Sequence, residues 1–276
     1  MNGILTVARK EFLDGLRNRW ILAIALMLAL LAVGLAYFGA AASGQVGFTS
    51  LASTLASLSS LAVVIIPLIA LLLGYDAIVG EAERGTLLLL LSYPLGRRAL
   101  LLGKLLGQGA MLALAISLGF GAAAVMMLLF ADQAEPAAVL KGFGLLIATA
   151  SWLGWTFLAL AYGFSAGVVE KSRAAGAALL LWFFFVVLFD LLLLGLLVLT
   201  QGQVSSELFP YLLLASPTDL FRLVNLLHLS QGELMGGLFS TIGQADFAWP
   251  ELALALALWL ALPAGLALFV FNRRAL

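Results

Sequence analysis

The chain has 276 residues, of which 64% are hydrophobic and only 10% are charged. Soluble domains carry about 45–50% apolar and about 25% charged residues, so this composition excludes an ordinary water-soluble globule and leaves the bilayer as solvent. Equal numbers of basic and acidic residues, 14 of each, exclude nucleic-acid binding through bulk positive charge; the lack of cysteine excludes disulfides and thiolate chemistry, and one histidine excludes HExxH proteolysis.

Residues 1–19 read as an amphipathic helix. At about 100° per residue, Leu5, Ala8, Phe12, Leu16 and Trp20 fall on one arc, with Lys10, Asp14 and Arg17 opposite. Such a helix suits the membrane interface, although the same charges also suit a flank that only sets topology. The apolar run after it is too long for the core of a cleavable signal peptide.

A span needs about 20 mostly apolar residues. The sequence predicts six, near Trp20–Ala42, Leu58–Tyr75, Ala99–Phe130, Gly142–Val168, Ala174–Thr200 and Leu252–Phe271. The second is entered from a serine-rich stretch and broken by Pro67. The third exceeds what a bilayer requires, so its charged start is expected to project into water. Continuous apolar runs, unlike short alternating segments, exclude a β-barrel. The expected fold is an all-α membrane protein, one transmembrane domain over 1–276.

Between spans two and three, residues 76–98 form a charged loop with its own short apolar stretch. Gly85 is expected to end one helix, Thr86 to cap the next, and Pro94 to close it after two turns of leucines. A short leucine-rich helix between acidic residues and Arg97-Arg98 suits docking to a soluble partner; an ordinary connecting loop would also fit. Asp190 stands alone in span five. An ionised carboxylate there costs about 2.5–3.5 kcal/mol, so it is expected to be protonated or partnered. One reading places it at a dimer seam or translocation path, the other in a hydrogen bond to a hydroxyl, amide or tyrosine of another span. Segment 201–251 holds Ser216-Pro217-Thr218-Asp219, a capped helix start, followed by the apolar stripe Leu220, Leu223, Val224 and Leu227. Two short helices packed on the membrane surface are expected there.

Orientation follows from lysine and arginine. Arg9, Lys10, Arg17, Arg19, Arg84, Arg97, Arg98, Lys104, Lys171, Arg173, Arg273 and Arg274 share one side, against Lys141 and Arg222 on the other. That asymmetry predicts cytoplasmic termini. There is no GxxxxGK[ST] loop for ATP, no nucleophile–base pair and no ladder of buried charges. Cu(I) favours thiolates and thioethers, with imidazole as a further ligand. Met27, Met111, Met126 and Met127 in spans, with His228 and Met235 outside them, are too scattered to assign a copper site.

The order Glu81-x-x-x-Gly85-Thr86-Leu87, Pro94, Arg97 and Gly103-Lys104 resembles the signature of permease subunits of type 2 ABC exporters. That resemblance implies an elbow helix at 1–19, a coupling helix within 76–98, and external helices within 201–251. Within the class the chain is similar to permeases of the NosDFY type, whose complex matures nitrous oxide reductase. The closer likeness rests on Arg9-Lys10-Glu11, Asp14-Gly15-Leu16-Arg17-Asn18-Arg19-Trp20, residues 40–49 and 67–86, Tyr93–Arg97, and Pro217-Thr218-Asp219 with Phe221-Arg222.

The resemblance implies a bacterial inner-membrane homodimer with two cytoplasmic NosF-like ATPase subunits, which hold ATP and magnesium. It also implies a periplasmic copper-handling NosD-like β-helical protein and, through it, a NosL-like copper chaperone. The chain itself would bind no cofactor or metal and have no catalytic residue. Glu81, Glu83, Arg84, Gly85, Thr86, Pro94 and Arg97 would couple to the ATPase, and Pro217, Asp219, Phe221 and Arg222 would meet the periplasmic protein. The implied role is to pass ATP-driven motion across the membrane to copper-centre assembly. Export of a small sulfur species, lipid or peptide through the dimer interface is the alternative, and a non-transporting anchor is another.

Overall fold

The structure is a computed structural model describing residues 3–17, 19–39, 47, 50–93, 95–131, 135–200, 209–229 and 247–274. Among them there are helices and connecting turns, and no strand. The helices are α1 Gly3–Arg17, α2 Trp20–Phe38, α3 Leu51–Gly74, α4 Val79–Glu83, α5 Thr86–Ser92, α6 Arg97–Phe130, α7 Pro136–Gly167, α8 Lys171–Phe183, α9 Phe189–Leu199, α10 Phe209–Leu213, α11 Pro217–Leu229 and α12 Trp249–Arg273. Six stretches among the described residues are long and apolar enough to cross a membrane: α2, α3, α6, α7, α8–α9 and α12.

Several predicted boundaries shift outward. The serine-rich stretch before span two is helical from Leu51, where the Ser50 hydroxyl accepts from Ser53 N at 3.3 Å. Pro67 lies inside α3 without breaking it. Trp182 Nε1 donates to Val64 O at 2.9 Å, in the turn before Pro67, where the ring interrupts the helix's own ladder. Span five contains a π-helical turn, Phe184–Leu188, joining α8 to α9.

At 34 residues α6 is about 51 Å long, well beyond a hydrocarbon core of about 30 Å. Its basic start is clad by α1, which runs beside it in the same direction. A Cβ on Gly107 would stand 2.6 Å from Ala8 O, and one on Gly103 2.6 Å from Val7 Cβ. This small-xxx-small pair lets the two backbones approach. The contact face of α1 is therefore Ile4, Val7, Ala8, Glu11 and Gly15, rotated from the predicted arc, and Leu5 and Leu16 are exposed.

One end of the bundle, the basic end, gathers α1, α4, α5, the starts of α6 and α8, and the ends of α7 and α12. Arg97 Nη1 donates to the carbonyls of Phe271, Asn272 and Arg274 at 3.2, 3.0 and 2.9 Å, closing α12. Arg274 in turn donates to Ser165 and Ala166 carbonyls of α7, both at 3.1 Å. The last carbonyls of α12 and α7 thus receive donors from side chains outside their own helices. At the opposite end α10 and α11 turn inward, and α11 packs against α3 and α7.

Candidate functional site: the basic-end junction and the inserted helix

Gly85 has φ of 72°, a left-handed conformation that a glycine adopts without steric cost, and it separates α4 from α5. Thr86 does not cap α5. Its hydroxyl instead donates to Glu81 O at 3.2 Å, tying α5 back to α4.

Behind this corner lies Lys104, whose Nζ reaches Glu81 Oε1 at 2.7 Å and Glu11 Oε1 at 3.0 Å. One ammonium thus joins α6, α4 and α1. Glu83 Oε1 accepts from Lys171 N at 2.6 Å, satisfying a free amide at the start of α8. Asp76 pairs with Lys171 Nζ at 2.9 Å and lies 3.9 Å from Arg84 Nη1. Ser165 Oγ accepts from the amides of Ile78 and Val79 at 2.9 and 3.1 Å. The loop between spans two and three is therefore bolted to α1 and to spans three, four and five.

This sorts the sequence-predicted residues. Glu81 and Arg97 point inward and hold the scaffold, Glu83 anchors α8, and Arg84, Gly85 and Thr86 are exposed. Pro94 lies outside the described residues. The apolar surface that α5 offers is Leu88 (59% exposed), Leu89 (65%) and, just beyond it, Tyr93 (65%). The sequence reading did not single these out, although a run of five leucines in seven residues leaves some leucines facing outward on any helix. Lys104 and Glu11 were missed as partners of Glu81 because they are remote from it in the chain.

At the other end Ser216 caps α11 as expected, its hydroxyl accepting from Asp219 N at 3.3 Å. Thr218 Oγ1 donates to Phe185 O at 3.0 Å, inside the π-helical turn of span five. Phe185 is midway along the 29-residue Lys171–Leu199 span, so the tip of α11 reaches the level of the bundle's middle. Asn225 donates to Thr149 Oγ1 of α7 at 2.9 Å, and Trp259 of α12 donates to Leu214 O at 2.9 Å.

Arg222 Nη1 meets Asp190 Oδ2 at 2.7 Å and Asp219 Oδ1 at 3.1 Å. The partner of Asp190 is thus a guanidinium from the inserted helix, rather than a neutral group on another span. Pro217, Asp219 and Phe221 are buried within the chain and Arg222 is held by two carboxylates, so these four face the bundle and not an outside surface. Arg222 also leaves the count of loop charges, which sharpens the predicted asymmetry to Lys141 alone.

Met127 is buried and Met126 half-buried, and Met111 packs against Gly15. Met235 and the His228 side chain lie outside the described residues.

Residues 5–276 match the ABC-2 family transporter protein family. The chain belongs to that family. Among curated relatives, this ABC-2 permease is 56% identical over 271 residues to the probable ABC transporter permease protein NosY of Pseudomonas aeruginosa, covering 98% of each chain. It is 53% identical over 277 residues to the probable ABC transporter permease protein NosY of Stutzerimonas stutzeri, covering 99% of each. An ABC-2 permease with six such helices is a multi-pass membrane protein, and membership of an ABC transporter implies ATPase partners.

Proposed function

We propose that this permease couples ATP hydrolysis on cytoplasmic subunits to a periplasmic copper-handling protein during maturation of nitrous oxide reductase. The observation that carries the reading is α5: a short helix with exposed Leu88 and Leu89, followed by Tyr93, on a corner braced through Lys104, Glu83 and Ser165 to α1 and three spans. An apolar knob on a stiff mount suits a groove on a soluble ATPase, and motion of that ATPase would reach the spans without being absorbed by a loose loop. Near full-length identity to proteins named NosY supports the choice of pathway.

In this reading the basic end is cytoplasmic, the membrane is the bacterial inner membrane, and two copies associate with two NosF-like ATPases that hold ATP and magnesium. Residues 1–19 form the elbow, 76–98 the coupling loop and 201–251 the periplasmic segment that meets a NosD-like β-helical protein, itself served by a NosL-like copper chaperone. Arg84, Gly85 and Thr86 lie at the ATPase contact, while Glu81, Glu83 and Arg97 support it from behind. Pro217, Asp219, Phe221 and Arg222 hold α11 for the periplasmic protein instead of touching it.

The test is co-purification with the ATPase alongside copper content of the reductase. Leu89→Asp with Leu88→Asp should abolish ATPase capture and leave the reductase without its copper centres, with the permease still inserted. Normal capture and normal copper content would overturn the reading.

A further inference from the structure

Asp190, Asp219 and Arg222 place two carboxyl groups against one guanidinium between α11 and span five, with the Asp190 side chain 31% and the Arg222 side chain 20% exposed. Asp219 is almost fully buried, its side chain only 2% exposed; its Oδ1 faces Arg222, while Oδ2 has no hydrogen-bond donor. Asp190 Oδ2 and Asp219 Oδ1 both lie within 3.1 Å of the same nitrogen, Arg222 Nη1. Among the described residues no second cation pairs with either carboxylate. On the elements packed around α11, α3 and α10 carry no charged residue, and α7 carries only Lys141, eight residues outward from Thr149. The charges of α12 are Glu251 and Arg273, in its first and last turns, and those of span five besides Asp190 are Lys171 and Arg173 at its basic start. The phenols on these elements are Tyr211 on α10 and Tyr162 on α7, and the latter is bonded to Gln108 at 2.9 Å.

Two ionised carboxylates this close, sharing one guanidinium in a medium of low dielectric, leave an uncompensated negative charge. A buried oxygen without a donor, beside a second carboxyl group, is where a single proton removes both the charge and the missing hydrogen bond.

We propose that Asp219 and Asp190 form a proton-binding site between the inserted helix and span five, holding one exchangeable proton opposite Arg222. The proton comes from water at the opposite end, adds to Asp219 Oδ2, and is shared with Asp190. The bound state is a neutral cluster of one carboxylate, one carboxylic acid and one guanidinium. Because the site spans α11 and α9, its occupancy is tied to the docking of the inserted helix.

The experiment is infrared difference spectroscopy on the full-length permease in lipid nanodiscs, with melting temperature followed in parallel across mildly acidic to alkaline pH. The wild type should show a protonated-carboxyl stretch near neutral pH that shifts in heavy water. Asp219→Asn and Asp190→Asn should each lose it, and Glu251→Gln should keep it. A proton bound only in the folded state stabilises below the pH at which it leaves, so the wild-type melting temperature should fall as pH rises, and both asparagine variants should flatten that slope. A wild-type spectrum without the band, a band surviving in both asparagine variants, or a flat wild-type melting profile would overturn the proposal. The first and third outcomes need neither variant to fold.

Discussion

Lys104 Nζ of α6 stands 2.7 Å from Glu81 Oε1 of α4, and the same ammonium reaches Glu11 of α1 at 3.0 Å. The lysine side chain is 5% exposed and the two glutamates 12% and 13%, so the group is screened little by water. Removing one partner of a buried pair costs about 3–5 kcal/mol, because the remaining charges stay buried. Lys104→Met should therefore lower the melting temperature of the purified permease sharply, whereas Glu81→Gln, which keeps an acceptor, should cost less. Glu81→Lys puts two ammonium groups together and should destabilise the protein as well as uncouple it. Equal melting temperatures for wild type and Lys104→Met would refute this account of the corner.

Arg97 acts at a distance from that lysine, on the last carbonyls of α12. Hydrogen bonds from a charged donor contribute about 1.5–3 kcal/mol, so Arg97→Ala should destabilise by about that amount and free the end of α12. Hydrogen exchange should rise at the amides around Phe271–Arg274 and stay unchanged in α2. Arg97→Lys should restore much of it, since all three bonds come from one nitrogen, Nη1, and a lysine ammonium carries three donors.

The docking of α1 on α6 depends on close backbone approach. Gly107→Val should push α1 away, since even a Cβ would stand 2.6 Å from Ala8 O and 2.7 Å from Glu11 Cβ. Displacing Glu11 also removes one partner of Lys104. Limited proteolysis should then cut within Gly3–Arg17 faster than in the wild type. Gly121→Ala, facing open space on the same helix, should leave cleavage unchanged.

Topology can be read with single cysteines, because the native chain has none. Cysteine at Ser50 or Ala248 should react with an impermeant thiol reagent added to intact cells. Cysteine at Thr86 or Arg98 should react only after the membrane is opened. Labelling in the reverse order would invert the proposed orientation.

Much of the architecture was legible in the chain because a bilayer imposes a simple rule: apolar runs of sufficient length become helices, and basic residues collect on one side. The six spans, the short helix after Gly85 and the hydroxyl cap at Ser216 follow from local composition. So does the family, since the order of Glu81, Gly85, Thr86 and Gly103-Lys104 is a property of the sequence. Only the tertiary structure decided which charges meet. Lys104 is 23 residues from Glu81 and 93 from Glu11, and Arg222 is 32 from Asp190, separations at which no helical periodicity relates the side chains. It likewise decided that α11 enters the bundle rather than resting on it. Its apolar stripe reads alike against lipid or against other helices, and what draws it inward is a set of hydrogen bonds: Thr218 to the Phe185 carbonyl in the π-helical turn, Asn225 to Thr149, and Trp259 to Leu214. In an apolar medium hydrophobicity does not distinguish one helix neighbour from another, so polar contacts and small-residue packing choose the partners, and those are fixed only when the chain is folded.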